Sequence, residues 1–246
     1  LFEILLAANA INGKFSSDDL LVVKALITDL VQPVYEHNGD IIGAVGSNPS
    51  GHNLTVIVNN IANSLYMRYS YFALGSIRGV ELIPPFHDMV ALLCYGDDNM
   101  MTVDNLCTWF NHTDVSAILE SIGVVYTMAD KESESVPFIS LDDASFLKRG
   151  VLYDEELDAY LAPLEMKSIF KSLHSRLVMK GGCSAREHAG MVISAACTEF
   201  FHHGRSVYDD ALPKLQALID RYDLSNQVSG ILPYESKRSA YKEKYY

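Results

Sequence analysis

Apolar residues Leu20, Leu21, Val23, Leu26, Ile27 and Leu30 recur at one-, three- and four-residue steps. That spacing predicts an amphipathic helix over 18–36, with Ser16 or Ser17 as its N-cap. Before it, LFEILLAANA (1–10) reads as the end of another helix. GDIIGAVG (39–46) reads as a short strand, closed by the turn chemistry of SNPSG. A long helix is expected from Gly51 to Leu74. The continuous apolar run MVALLCY (89–95) suits a buried strand, GDDN a turn, and MMTV the return strand. Together they predict a β-hairpin with acidic residues at its tip.

Further along, Thr113 is expected to cap a helix that ends near Ser121, with Gly123 closing it. VVYT (124–127), ASFLKRG (144–150) and VLYD (151–154) read as strands. From Pro163 onward the pattern turns helical, over 164–177, 185–203 and 206–222. The order predicts an α+β unit over 1–160 and a mainly helical unit over 161–246. No internal repeat or low-complexity tract interrupts it.

The 246 residues are 49% apolar and 20% charged, which excludes a wholly disordered chain. No apolar run approaches the roughly 18–20 residues of a spanning helix. The N-terminal pattern lacks the basic start and small-residue cleavage site of a signal peptide. Cys94, Cys107, Cys183 and Cys197 are scattered and form no C-x-x-C pair. A disulfide framework and a cysteine zinc site are therefore not expected, and a reducing compartment is. Cys183 with His188, and the pair His202 and His203, carry no metal-site pattern. The acceptor triplets at Asn53 and Asn111 are read as incidental. A formal charge of −12 argues, taken alone, against a nucleic-acid partner. Net charge averages the surface, however, and a basic groove can sit on an acidic protein.

The strongest chemical signal is YGDDN, Tyr95 to Asn99. Adjacent carboxylates at a hairpin tip repel each other, and a hard divalent cation relieves that repulsion. Mg²⁺ characteristically takes one or two carboxylates plus phosphate oxygens. The competing reading is a plain polar turn. A second signal lies upstream in PSGHNLTVIVNN. Ser50-Gly51 opens a helix, with Ser50 as its N-cap in the plain structural reading, and Thr55 and Asn59 stand on it one turn apart, on one face. A hydroxyl and an amide there suit recognition of a sugar hydroxyl. Asn59 and Asn60 are poor helix formers, so a purely structural role explains them badly.

The series S-G-x3-T-x3-N, YGDD and FLKR resembles motifs B, C and E of the RNA-dependent RNA polymerases of positive-strand RNA viruses, in the picornavirus-like order that includes dicistrovirus and marnavirus types. VVYT followed by MADK resembles motif D. The resemblance implies a right-hand polymerase palm over 1–160 and a thumb over 161–246. It implies template-directed transfer of nucleotides to an RNA 3′-hydroxyl, with two Mg²⁺ ions as cofactors and Mn²⁺ as a substitute. By motif, Asp97 and Asp98 would be the metal ligands and Lys131 the proton donor to pyrophosphate. Ser50, Gly51, Thr55 and Asn59 would bind the nucleotide and its ribose. Lys148 and Arg149 would grip the primer. Implied partners are RNA template and primer, nucleoside triphosphates and other replication proteins of a viral polyprotein. The implied location is the host cytoplasm, at membrane-associated replication complexes.

One departure stands out. The family's motif A aspartates and most of its fingers have no counterpart here, and Asp18 and Asp19 read as a helix cap. The chain is therefore expected to be a fragment that is inactive by itself. The competing readings are a catalytically degenerate, polymerase-like RNA-binding domain and a reverse transcriptase.

Overall fold

The computed structural model describes residues 13, 15–46, 48–131, 133–176 and 183–245. The expected helix end over 1–10 lies outside them. The chain divides into two compact units, Leu1–Phe138 and Ile139–Tyr246.

In the first unit, helix α1 spans Ser17–Val31. Its start is a capping box: the Ser16 hydroxyl accepts from the Asp19 N–H, and the Asp19 carboxylate accepts from the Ser16 N–H. The helix stops well short of residue 36 because Pro33 follows. Val34–His37 (β1) instead pairs antiparallel with Asp40–Gly43 (β2). Asn38 and Gly39 both take positive φ in the connection, 55° and 92°, as a two-residue primed turn requires. The Asn-Gly pair is the sequence signal that separates this hairpin from the helix.

Helix α2 runs Thr55–Ile77. It starts later than Gly51, whose φ of +83° is incompatible with a right-handed helix. Asn63, Met67, Ser70, Tyr71, Leu74 and Gly75 form its buried stripe at three- and four-residue spacing. A single helical turn, Phe86–Met89, leads into β3 (Val90–Tyr95), which pairs antiparallel with β4 (Asp98–Val103). Val90, Leu92 and Cys94 are more buried than Ala91, Leu93 and Tyr95, the alternation of a strand covered on one face. Tyr71 fills the centre of the core with Met67, Phe86, Phe110, Val115 and Leu119. Its hydroxyl donates to the Pro84 carbonyl at 3.1 Å.

Helix α3 spans His112–Glu120 and is capped by Asn111, whose side chain accepts from the Asp114 N–H. The cap thus lies two residues before Thr113. Gly123 closes the helix with φ +80°. Residues 124–127 form no strand. The Tyr126 carbonyl instead accepts from the Ser116 hydroxyl at 2.9 Å, and the Tyr126 ring stacks on His112 at 4.8 Å.

In the second unit the expected strand over 144–150 is reduced to isolated bridges, Arg149 with Leu164 and Phe146 with Arg149. Leu147 and Lys148 between them take φ of 54° and 62°. Strands β5 (Leu152–Asp154) and β6 (Ala159–Leu161) form an antiparallel pair. Helices α4 (Met166–His174), α5 (Ala185–Phe201) and α6 (Arg205–Arg221) follow close to the expected spans. Residue 177 of the first expected span lies outside the described residues. Helix α7, Tyr234–Tyr245, was not anticipated, because it buries little beyond Tyr234 and shows no apolar periodicity. The unit's core joins Leu157, Leu161, Ile169, Phe200, Tyr208, Leu215 and Tyr234. Leu157, from the span expected to be α+β, belongs to that core, and the compact units part after Phe138. The class is the expected α+β: helices with small antiparallel sheets.

Candidate active site

The register of β3 and β4 sets Tyr95 opposite Asp98, so the turn consists of Gly96 and Asp97 alone. Gly96 has φ +66°, which suits the first central position of a tight hairpin turn. Asp98 is the first residue of β4 rather than part of the turn. Both carboxylates are exposed, and among the described residues neither has an ion-pair partner.

Helix α2 holds this turn through its asparagines. The Asn63 side-chain N–H donates to the Asp97 carbonyl at 2.9 Å, with the Gly96 and Asp98 carbonyls 3.4 Å away. Asn60 accepts from the Gly96 N–H. Asn99 donates to the Asn63 oxygen at 2.8 Å, and the Tyr126 hydroxyl donates to the Asn99 oxygen at 2.8 Å. Burial raises the Tyr126 phenol above its ordinary value, so it stays a donor at neutral pH. Asn63 is only 7% exposed. Polar groups so buried persist where their bonds are satisfied, and here the bonds fix the turn. Sequence reasoning singled out Asn60 without giving it a task, and missed Asn63, Asn99 and Tyr126. The available signal was three asparagines within five residues of a helix, a costly composition unless each amide has a task.

Asn59 and Thr55 share a face at the start of α2. The Thr55 hydroxyl donates to the Pro49 carbonyl, so it ties the preceding loop to the helix. Asn48 donates to the Asn59 oxygen at 2.8 Å and to the Thr55 carbonyl at 3.3 Å. Ser50 and Gly51 are exposed in the loop itself, and Ser50 does not cap the helix. Consecutive residues join the two motifs, since Asn60 touches the Asp97 turn and Asn59 the loop. Lys131 lies on an exposed turn five residues after Tyr126.

Lys148 and Arg149 lie in the second unit. Lys148 sits exposed at the tip of the Leu147-Lys148 turn, whose two non-glycine residues with positive φ are strained. Arg149 is engaged internally. Its guanidinium makes a two-pronged ion pair with Glu199, at 2.9 and 2.7 Å, and donates to the Ala162 carbonyl. That bond holds the Glu199 carboxyl below its ordinary range.

Among the described residues no group of three or more His, Cys, Asp or Glu is placed to hold a metal. The donor set at the hairpin tip is two adjacent, exposed, unpaired carboxylates. It fits a hard cation that completes its shell with water and phosphate oxygens.

A family model described as viral RNA-dependent RNA polymerase matches residues 10–222. The chain belongs to that family. It is 29% identical over 237 residues to the replicase polyprotein of Cricket paralysis virus, covering 95% of this chain and 13% of that protein. It is 31% identical over 230 residues to the RNA1 polyprotein of Cherry rasp leaf virus, covering 91% of this chain and 10% of that one. A solved Sicinivirus 3Dpol RNA-dependent RNA polymerase superposes with a TM-score of 0.62 at 20% identity. That match covers 90% of this chain and 43% of the Sicinivirus chain, and shows a shared polymerase fold. The chain therefore spans a small part of its polyprotein relatives. Among its described residues no helix is long and apolar enough to cross a membrane.

Proposed function

We propose that this chain supplies most of the palm and the thumb of an RNA-directed RNA polymerase that replicates viral RNA. The observation that carries the proposal is the exposed Asp97-Asp98 pair at a hairpin tip clamped by Asn60 and Asn63, within a chain of this family. Asp97 and Asp98 would hold Mg²⁺, with Mn²⁺ as a substitute. When bound, the metal would neutralise charge on the attacking and leaving oxygens of nucleotidyl transfer.

The chain's own residues have separable tasks in this reading. Asn63 and Asn60 fix the backbone that carries Asp97, so the carboxylate needs no reorganisation as charge develops. Asn59 recognises the ribose 2′-hydroxyl, the group that marks a ribonucleotide. Ser50 and Gly51 line the approach to the nucleotide, and Thr55 anchors their loop. Lys131 delivers a proton to the departing pyrophosphate. Lys148 offers its exposed ammonium to primer phosphates. Arg149 keeps the Lys148 turn in place through Glu199, rather than contacting RNA itself. The palm would extend to residue 160 and the thumb would follow. Partners would be template, primer, nucleoside triphosphates and other products of the polyprotein, in cytoplasmic, membrane-associated replication complexes.

The test is single-nucleotide extension of an annealed RNA primer by the complete polymerase that carries this chain. Extension that needs template, divalent cation and Asp97 supports the proposal. Tight RNA binding without any extension would instead fit a catalytically degenerate domain.

A further inference from the structure

Asn48, in the loop before α2, makes an arrangement that stability alone does not explain. Its side-chain nitrogen lies 3.3 Å from the Thr55 backbone carbonyl and 2.8 Å from Asn59 Oδ1. A backbone carbonyl only accepts, so the Asn48 end facing α2 must be the NH₂ group. It follows that Asn59 must turn its oxygen toward Asn48, because two NH₂ groups would repel. The Asn59 amide is thereby polarised. Its oxygen is turned to Asn48, and its NH₂ end remains to donate.

The arrangement has a cost. Asn48 Oδ1 is buried and has no hydrogen-bond partner among the described residues. An orphaned buried acceptor is uncommon in a folded protein and calls for a reason. An apolar side chain at this position would avoid the penalty but would leave the Asn59 amide free to rotate.

We infer that Asn48 is a positioning residue that sets sugar selectivity by fixing the Asn59 amide as a hydrogen-bond donor toward the 2′ substituent. The inference rests on the polymerase reading of Asn59. It adds a chemical consequence that the reading alone does not contain. The site recognises the 2′ oxygen as an acceptor, so a 2′ group that accepts without donating should be tolerated. A 2′-fluorine is such a group, and a 2′-hydrogen is neither donor nor acceptor.

The experiment uses the complete polymerase and measures competing incorporation of nucleotides carrying 2′-hydroxyl, 2′-fluoro and 2′-hydrogen. Ratios of incorporation do not depend on how much enzyme is folded. The parent should rank them hydroxyl, fluoro, hydrogen. Asn48→Asp keeps the shape but offers only acceptors; it loses the bond to the Thr55 carbonyl, and Asn59 can meet it only by rotating its NH₂ toward it and its oxygen to the sugar. Its fluoro-to-hydrogen ratio should fall by about 2- to 12-fold, the worth of one hydrogen bond. Use of the 2′-hydroxyl should survive, because a hydroxyl also donates. Asn48→Ala should move the same ratio in the same direction by less, and neither change should move it further in an Asn59→Ala background. An unchanged fluoro-to-hydrogen ratio in both Asn48 variants, with Asn59→Ala still losing sugar discrimination, overturns the inference and leaves the polymerase reading intact. A parent that fails to extend primers at all overturns both.

Discussion

The Asn63 side-chain nitrogen lies 2.9 Å from the carbonyl oxygen of Asp97, 34 residues along the chain. That bond carries the position of a helix's buried stripe to the tip of an exposed hairpin. Asn99 and Tyr126 extend it by two further bonds of 2.8 Å each. The carboxylates at the tip are free to meet a ligand while the backbone beneath them is held.

Asn63→Asp keeps the side chain's shape and replaces its donor with a carboxylate facing three carbonyl oxygens. Misplacing a reacting group by about 1 Å can cost on the order of 100-fold in rate. Turnover by the complete polymerase should fall by roughly 10- to 100-fold, with a smaller change in nucleotide KM. Tyr126→Phe leaves the Asn99 oxygen without its donor at a cost of about 0.5–1.5 kcal/mol, so its effect should be several-fold and no more. Steady-state extension kinetics of both variants decide the ranking.

Asn59→Ala removes a contact to the sugar rather than to the reacting phosphate. Discrimination between ribo- and deoxyribonucleotides should drop about 2- to 12-fold, while turnover on ribonucleotides changes less. Matched incorporation assays measure this. Unchanged discrimination would make Asn59 a loop-packing residue that serves Asn48 alone.

Gly190 on α5 meets the Gln227 backbone so closely that an added Cβ would lie 2.3 Å from its carbonyl oxygen. Alanine favours a helix by about 1 kcal/mol over glycine, but backbone cannot step aside as a side-chain tip can. Overpacking costs about 1–3 kcal/mol and should prevail. Gly190→Ala should lower the Tm of the chain by several degrees in thermal unfolding.

The second unit should lose stability in acid. The Arg149 hydrogen bonds hold the Glu199 carboxyl below its ordinary value of 4.5, and burial holds His202 below its ordinary 6.5. In both cases the unfolded chain binds the proton more readily. Stability is therefore fully present above the unfolded values and is lost as pH falls through the folded ones. Unfolding followed against pH should show a decline starting near 6.5 and steepening below 4.5. Glu199→Gln should flatten the lower part, at a cost near neutral pH of about 1 kcal/mol once solvent screening of the partly exposed pair is allowed for.

The elements that the sequence made legible were those with a strong period or distinctive chemistry. Helix α2, the β3–β4 hairpin and helices α4 to α6 follow from apolar spacing, and the carboxylate pair from its improbable turn. Strand β2 lies within the strand expected over 39–46, but its partner β1 was overlooked because the helix was carried past Pro33 to residue 36, although Asn38-Gly39 marked the turn. Segment 124–127 has strand composition, yet its Tyr126 carbonyl bonds to Ser116, a tertiary choice that no local pattern encodes. The ion pair of Arg149 was not legible because its partner Glu199 lies fifty residues away. The clamp on Asp97 was hidden for the same reason: the sequence shows three asparagines, and only the fold shows that two of them reach the same turn.

The most direct test of the central claim is Asp97→Asn in the complete polymerase, read by template-directed incorporation of a single ribonucleotide. The change keeps the side chain's size, replaces one acceptor oxygen by an NH₂ group and removes one negative charge from the metal-binding pair. Turnover should fall by several orders of magnitude, with nucleotide affinity reduced far less. Near-parental turnover in Asp97→Asn would contradict the assignment of the Asp97-Asp98 hairpin as the catalytic centre.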